Sequence, residues 1–90
     1  MVGKHNISEI QVTPIKPVNG LVGFVSFVLD GFLYLGSIGV ITRPQGGYRL
    51  TYPTKTSGSK NLNIFYPINK SFADFIETTV LQEFERVIGL

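Results

Sequence analysis

Side chains able to do chemistry concentrate between positions 43 and 70 of this 90-residue chain. Arg43, Arg49, Lys55, Lys60 and Lys70 fall there beside Tyr48, Tyr52 and Tyr66, and residues 31 to 70 contain no Asp or Glu. That segment carries +5, the residues before it balance to 0, and residues 71 to 90 carry −3, for a net charge of +2. Cations interleaved with aromatic rings suit nucleic-acid contact, since Lys and Arg neutralise phosphates while ring faces stack on unpaired bases. Solvated turns hold cations at a similar density, so charge alone leaves both readings open.

Other constellations point away from catalysis. His5 is the sole histidine and there is no cysteine, so neither a metal site nor a Ser/His/Asp set can be assembled. Gly58-Ser59-Lys60 lacks the first glycine and the Gly-Lys pair of a phosphate loop, and reads as a turn. Asp74 and Glu77 lie one helical turn apart, a spacing open to paired acid and base, but acids early in a helix are explained by its dipole. No catalytic residue, metal or cofactor is expected, and the chain is read as a non-enzyme. Without cysteine nothing demands an oxidising compartment, and residues 1 to 8 lack the apolar run of a signal peptide, so a cytoplasmic location is expected.

These side chains need a frame, and the periodicity supplies one. Ile10 and Val12 alternate in a first strand over residues 7 to 15, which Pro14 and Pro17 close and assign to a sheet edge. Asn19-Gly20 marks a turn. Residues 21 to 29 and 32 to 42 form a hairpin through Asp30-Gly31, with Leu29 facing Phe32 and Phe27 facing Tyr34. Although residues 21 to 41 have the length of a membrane span, the Asp-Gly turn, four glycines and the β-branched content argue for strands. A fourth strand is expected at residues 48 to 52. A mobile basic loop then lies between the two Tyr-Pro dipeptides, Tyr52-Pro53 and Tyr66-Pro67, and after the loop a fifth strand is expected at residues 62 to 66. Phe72, Phe75, Ile76, Thr79, Val80, Phe84 and Val87 recur at helical spacing over residues 71 to 87, with Asn69 or Ser71 as cap, a Ser71–Asp74 capping box and Gly89 as stop. The chain reads as one α+β domain over residues 1 to 90, frayed at residues 1 to 6. It has a small antiparallel sheet of about five strands followed by one C-terminal amphipathic helix.

In the central hairpin Leu21, Val25, Phe27 and Leu29 face one way, and Val22, Phe24 and Val28 the other. One helix covers one face, so a second subunit is expected over the other, giving a sheet-mediated homodimer. The alternative is a twisted sheet that covers itself.

The order of Ile10-Gln11-Val12, the hairpin segment Phe27-Val28-Leu29-Asp30-Gly31-Phe32, Tyr52-Pro53-Thr54-Lys55, Tyr66-Pro67-Ile68-Asn69 and Val80-Leu81-Gln82-Glu83-Phe84-Glu85 resembles the bacterial septation protein SpoVG family. The resemblance implies a small α+β domain that dimerises through its sheet. It also implies a cytoplasmic regulator of septation or sporulation that binds DNA, and RNA as a second class. That family carries a Pro-Ser-Lys-Arg-like run after the fourth strand, and Pro53-Thr54-Lys55-Thr56 keeps the lysine but not the arginine. Basic residues of the family's first helical turns correspond to Ala73 and Phe75. The nucleic-acid candidates are therefore Lys55, Lys60, Arg49, Arg43 and Lys70, with Tyr52 and Tyr66 stacking or supporting. The alternative is a non-catalytic protein-interaction module on the same fold that has lost these contacts.

Overall fold

The computed structural model describes residues 4 to 89. Four strands come first: β1 (Ile7–Val18), β2 (Leu21–Leu29), β3 (Leu33–Thr42) and β4 (Tyr48–Thr51). They form one antiparallel sheet in the order β1-β2-β3-β4. A separate hairpin follows, β5 (Thr54–Ser57) with β6 (Lys60–Asn63), and the chain ends in α1 (Lys70–Ile88). The expected α+β architecture holds. The fifth strand, however, leaves the main sheet, is shorter than expected and pairs with a strand of the supposed loop.

Turn chemistry explains the meander. Asn19-Gly20 and Asp30-Gly31 all have positive φ (51°, 87°, 54° and 73°), the backbone that a two-residue hairpin turn demands. Past the second turn the register differs from expectation. The Phe32 amide donates to the Leu29 carbonyl at 3.0 Å, but Leu29 then pairs with Leu33, Val28 with Tyr34, and Phe27 with Leu35. Phe32 is thus an extra residue beside the turn, left outside the ladder. A further irregularity lies between Val25 and Phe27, where Ser37 takes φ 60°. β1 is an edge strand as its prolines indicate, yet it runs on through Pro14 and Pro17 to Val18.

One face of the sheet and the helix share the core. Val25, Phe27, Ile38, Val40 and Leu50 pack with Ile76, Val80 and Phe84, the last three at successive i, i+4 positions of α1. Gly23 permits the close approach, because a Cβ there would lie 2.9 Å from the Phe84 ring and 3.0 Å from the Thr13 carbonyl oxygen. Val87, placed by periodicity on the buried stripe, is exposed, while Leu81 and Ile88 pack against the core. Asn69 is the helix cap: its side chain accepts from the Phe72 amide at 2.8 Å, and Gly89 ends the helix in the left-handed region. Ser71 and Asp74 form no capping box, since Asp74 pairs with Lys70.

The opposite face is more polar than the sequence pattern suggests. Gln11, Thr13, Ser26 and Ser37 line a shallow depression there with Phe24 and Tyr34. Val22, expected on this face, packs against the core at a register irregularity between Leu21 and Gly23. The Tyr34 ring lies over Gly36, where a Cβ would come within 2.9 Å of it, and stays largely exposed.

Residues 1 to 3 lie outside the described residues, so the expected frayed end is described only from Lys4. Just beyond, His5 Nδ1 and Asp30 Oδ2 are 2.9 Å apart, and the Asn6 amide donates to Asp30 Oδ1 at 2.7 Å. These bonds hold the Asp30 carboxyl below its ordinary range. No helix among the described residues is long and apolar enough to cross a membrane.

Candidate nucleic-acid interface

The segment between the Tyr-Pro dipeptides is an arm rather than a loop. Gly58-Ser59 makes a two-residue turn, with φ 63° at Gly58, and Ser57 pairs with Lys60, Thr56 with Asn61, Lys55 with Leu62 and Thr54 with Asn63. Strand alternation puts Lys55, Ser57, Lys60 and Leu62 on one side of the ribbon and Thr54, Thr56, Asn61 and Asn63 on the other. All eight residues of the two strands are exposed, and β5 and β6 pack chiefly against each other. The radius of gyration is 13.4 Å, above the roughly 12 Å of a compact domain this long, as a projecting arm requires.

The five candidate cations divide into two groups. Lys55 and Lys60 share the arm's one side, and Arg49 is exposed on the sheet face turned away from the helix, next to the buried Leu50. None of these three makes an ion pair among the described residues. Arg43 and Lys70 are engaged. The Arg43 guanidinium lies 3.0 Å from Glu77 Oε1 and also donates from Nε to the Tyr48 carbonyl, and Lys70 Nζ lies 3.0 Å from Asp74 Oδ2. The helix acids are thus explained by partners rather than by the dipole, and neither stands in the first turn. Glu77 does more: its Oε2 accepts from the Leu50 amide at 3.1 Å, tying the helix to the outer edge of β4.

The tyrosines also separate. Tyr52 is half-buried and packs edge-on to Phe65, with centroids 6.1 Å apart. Burial, with the Glu77 charge second, pushes its phenol up to about 12. The two rings flank the arm in the chain, Tyr52 before β5 and Phe65 after β6. Tyr66 is exposed and free to stack, but it borders the helix start rather than the arm. Tyr48 packs edge-on against Phe84, which removes it from the surface set.

At the positions where basic residues were expected, the chain substitutes other contacts. The Thr56 hydroxyl donates to Asn61 Oδ1 at 3.0 Å across the ribbon. Ala73 and Phe75 are half-buried, and Phe75 stacks on Phe72 with centroids 6.2 Å apart. Sequence reasoning missed Asn61 and Asn63, which the ribbon puts beside Thr54 and Thr56. The Gly-Ser turn was the signal for them, being a known two-residue hairpin pair. Among the described residues no three His, Asp or Glu side chains gather as metal ligands would.

A curated protein of Borrelia hermsii (strain HS1 / DAH), named "Putative septation protein SpoVG", is 24% identical over 82 residues, which is 88% of this chain and 85% of the relative. The SpoVG family model matches residues 5 to 86, from the histidine that holds Asp30 to the last turn of the helix. With nearly its whole length matched, the chain belongs to the SpoVG family.

Proposed function

We propose that this protein is a nucleic-acid-binding regulator whose β5–β6 arm makes the contact. The observation that carries the reading is the arm itself: a projecting ribbon with Lys55 and Lys60 on one side, neither engaged by an acid. Such lysines attract phosphate without cost to an existing pair, whereas Arg43 and Lys70 would first have to leave Glu77 and Asp74. DNA is the first ligand class and RNA the second, because phosphate contact sets affinity and is common to both. The relative's name links it to septation, and the same process is the proposed setting here. The protein acts without catalysis or cofactor, in the cytoplasm, as a homodimer.

The bond between Thr56 and Asn61, at the position of the expected arginine, favours a second reading in which the fold serves protein partners and the nucleic-acid contact is lost. A salt titration separates the two. Binding to short duplex DNA is expected to fall linearly in log–log form with salt. Lys55→Ala with Lys60→Ala is expected to lower affinity and reduce the slope by about 1.8, near 0.9 per phosphate contact. No binding at low ionic strength, or a slope unchanged by the double substitution, would overturn the first reading.

A further inference from the structure

The β5–β6 arm has a second side, which phosphate contact through its lysines leaves unused. Thr54, Thr56, Asn61 and Asn63 share it, all exposed, with Thr56 opposite Asn61 and Thr54 opposite Asn63. This side carries no charge, only short groups that can both donate and accept hydrogen bonds. Asn61 Oδ1 accepts from the Thr56 hydroxyl at 3.0 Å, and Asn63 has no side-chain hydrogen bond among the described residues. The Thr56 bond takes one of the two lone pairs on Asn61 Oδ1 and none of the amide protons. The Asn61 amide is therefore held in one orientation, with a donor and an acceptor still free side by side.

We infer that Asn61 and Asn63 read base identity, each taking an adenine in the major groove of duplex DNA, the two adenines lying two steps apart on one strand. This rests on the arm being the nucleic-acid contact proposed above. Chemistry, spacing and shape carry it. An asparagine amide donates from Nδ2 to adenine N7 and accepts at Oδ1 from the N6 amino group, an acceptor beside a donor that guanine lacks. Side chains two residues apart on one face of a strand stand about 6.7 Å apart, close to two base steps of roughly 3.4 Å each. Two strands about 4.8 Å apart, with their side chains, enter a major groove about 12 Å wide but not a minor groove of about 6 Å. Double-stranded RNA is rejected by the same measure, its major groove being deep and narrow.

The lysines fit this placement. Lys55 is on β5 and Lys60 on β6, so on the ribbon's outward side each lies over a different strand. Their flexible stems can extend to opposite walls of the groove, where the phosphates run. The helix has the dimensions for a major groove but the wrong sign. Asp74, Glu77, Glu83 and Glu85 outnumber Lys70 and Arg86, and acids hold both of those cations.

Selection from duplex DNA with a randomised centre, followed by anisotropy titrations of the enriched duplex, tests the inference. Wild-type protein is expected to enrich adenines two steps apart, and guanine at either position should weaken binding about 5-fold or more. Deazaadenine, which pairs normally but lacks the N7 acceptor, should weaken it as well. Asn61→Ala should erase the preference at one position and Asn63→Ala at the other, with affinity for unrelated duplex and the far-ultraviolet circular dichroism spectrum unchanged. Thr56→Val keeps the shape without the hydroxyl, and should weaken only the preference that Asn61→Ala erases. Lys55→Ala, by contrast, should lower affinity for every sequence alike. Salt-dependent binding without adenine preference, a preference that both asparagine variants keep, or tighter binding to single-stranded RNA than to the enriched duplex would overturn the base reading and leave the phosphate-binding arm standing. No binding to any duplex would overturn both.

Discussion

Replacing Gly23 by alanine pits two effects of opposite sign against each other. In a strand, Gly→Ala ordinarily stabilises by about 0.4–1 kcal/mol, because the unfolded chain has fewer conformations to lose. Here the new methyl would meet the Phe84 ring at 2.9 Å, the Thr13 carbonyl oxygen at 3.0 Å and the Pro14 Cα at 3.4 Å. Two of those three neighbours are backbone of the adjacent strand, and Phe84 is fully buried, so no side chain can swing clear. Overpacking of this kind costs about 1–3 kcal/mol. The steric term therefore wins, for a net loss of about 1–2 kcal/mol. In a domain this small that lowers the melting temperature by roughly 4–16 °C. Thermal melts and urea titrations should agree on the loss, with an m-value unchanged from wild type. Phe84→Leu removes the ring edge, so the double variant should lose about 0.5 kcal/mol or more less than the sum of the singles. A neutral or stabilised Gly23→Ala, or strict additivity with Phe84→Leu, would refute the close approach of helix and sheet.

Two further outcomes follow from Glu77 and its neighbour. Glu77→Ala strands the part-buried Leu50 amide and should destabilise by about 1–3 kcal/mol. Glu77→Gln keeps an acceptor, and Arg43→Ala breaks only a half-exposed pair worth about 0–1 kcal/mol; urea titration should rank Glu77→Ala well below both, and equal losses would show that the amide bond contributes nothing. Tyr52, pushed up to about 12, binds its proton more tightly folded than unfolded. Its share of stability is complete below the unfolded value near 10 and is lost as pH rises through about 12, whereas Tyr52→Phe should not show that loss; tyrosinate absorbance should resolve one late-titrating phenol.

Much of the frame was legible because single residues dictate backbone there. Asn19-Gly20 and Asp30-Gly31 demand positive φ, Pro14 removes a ladder donor, and Ile76, Val80 and Phe84 repeat at the helical period. What could not be read was register. One extra residue beside the Asp30-Gly31 turn moves Tyr34 opposite Val28, and an irregularity near Leu21 turns Val22 toward the core. Nothing in an alternating pattern announces an irregularity that costs little locally and is decided by the neighbouring strand. The candidate site divided along the same line. Lys55 and Lys60 stand out by charge, but only geometry could reveal that acids of the helix occupy Arg43 and Lys70, or that Tyr52 packs against Phe65. The β5–β6 pairing escaped because polar, glycine-bearing segments read as loop when no apolar alternation marks a strand.

The arm's detachment has a consequence for how such a protein can change over generations. Its eight strand residues contribute almost nothing to the core, so replacing them barely moves the balance between folded and unfolded chain. Most substitutions elsewhere are filtered by that balance, since natural proteins sit only a little above the stability they need. Substitutions on the ribbon escape the filter. An arginine in place of Thr56 would cost the chain only the bond to Asn61, and the sheet, the helix and the Gly23–Phe84 contact would need no compensating change.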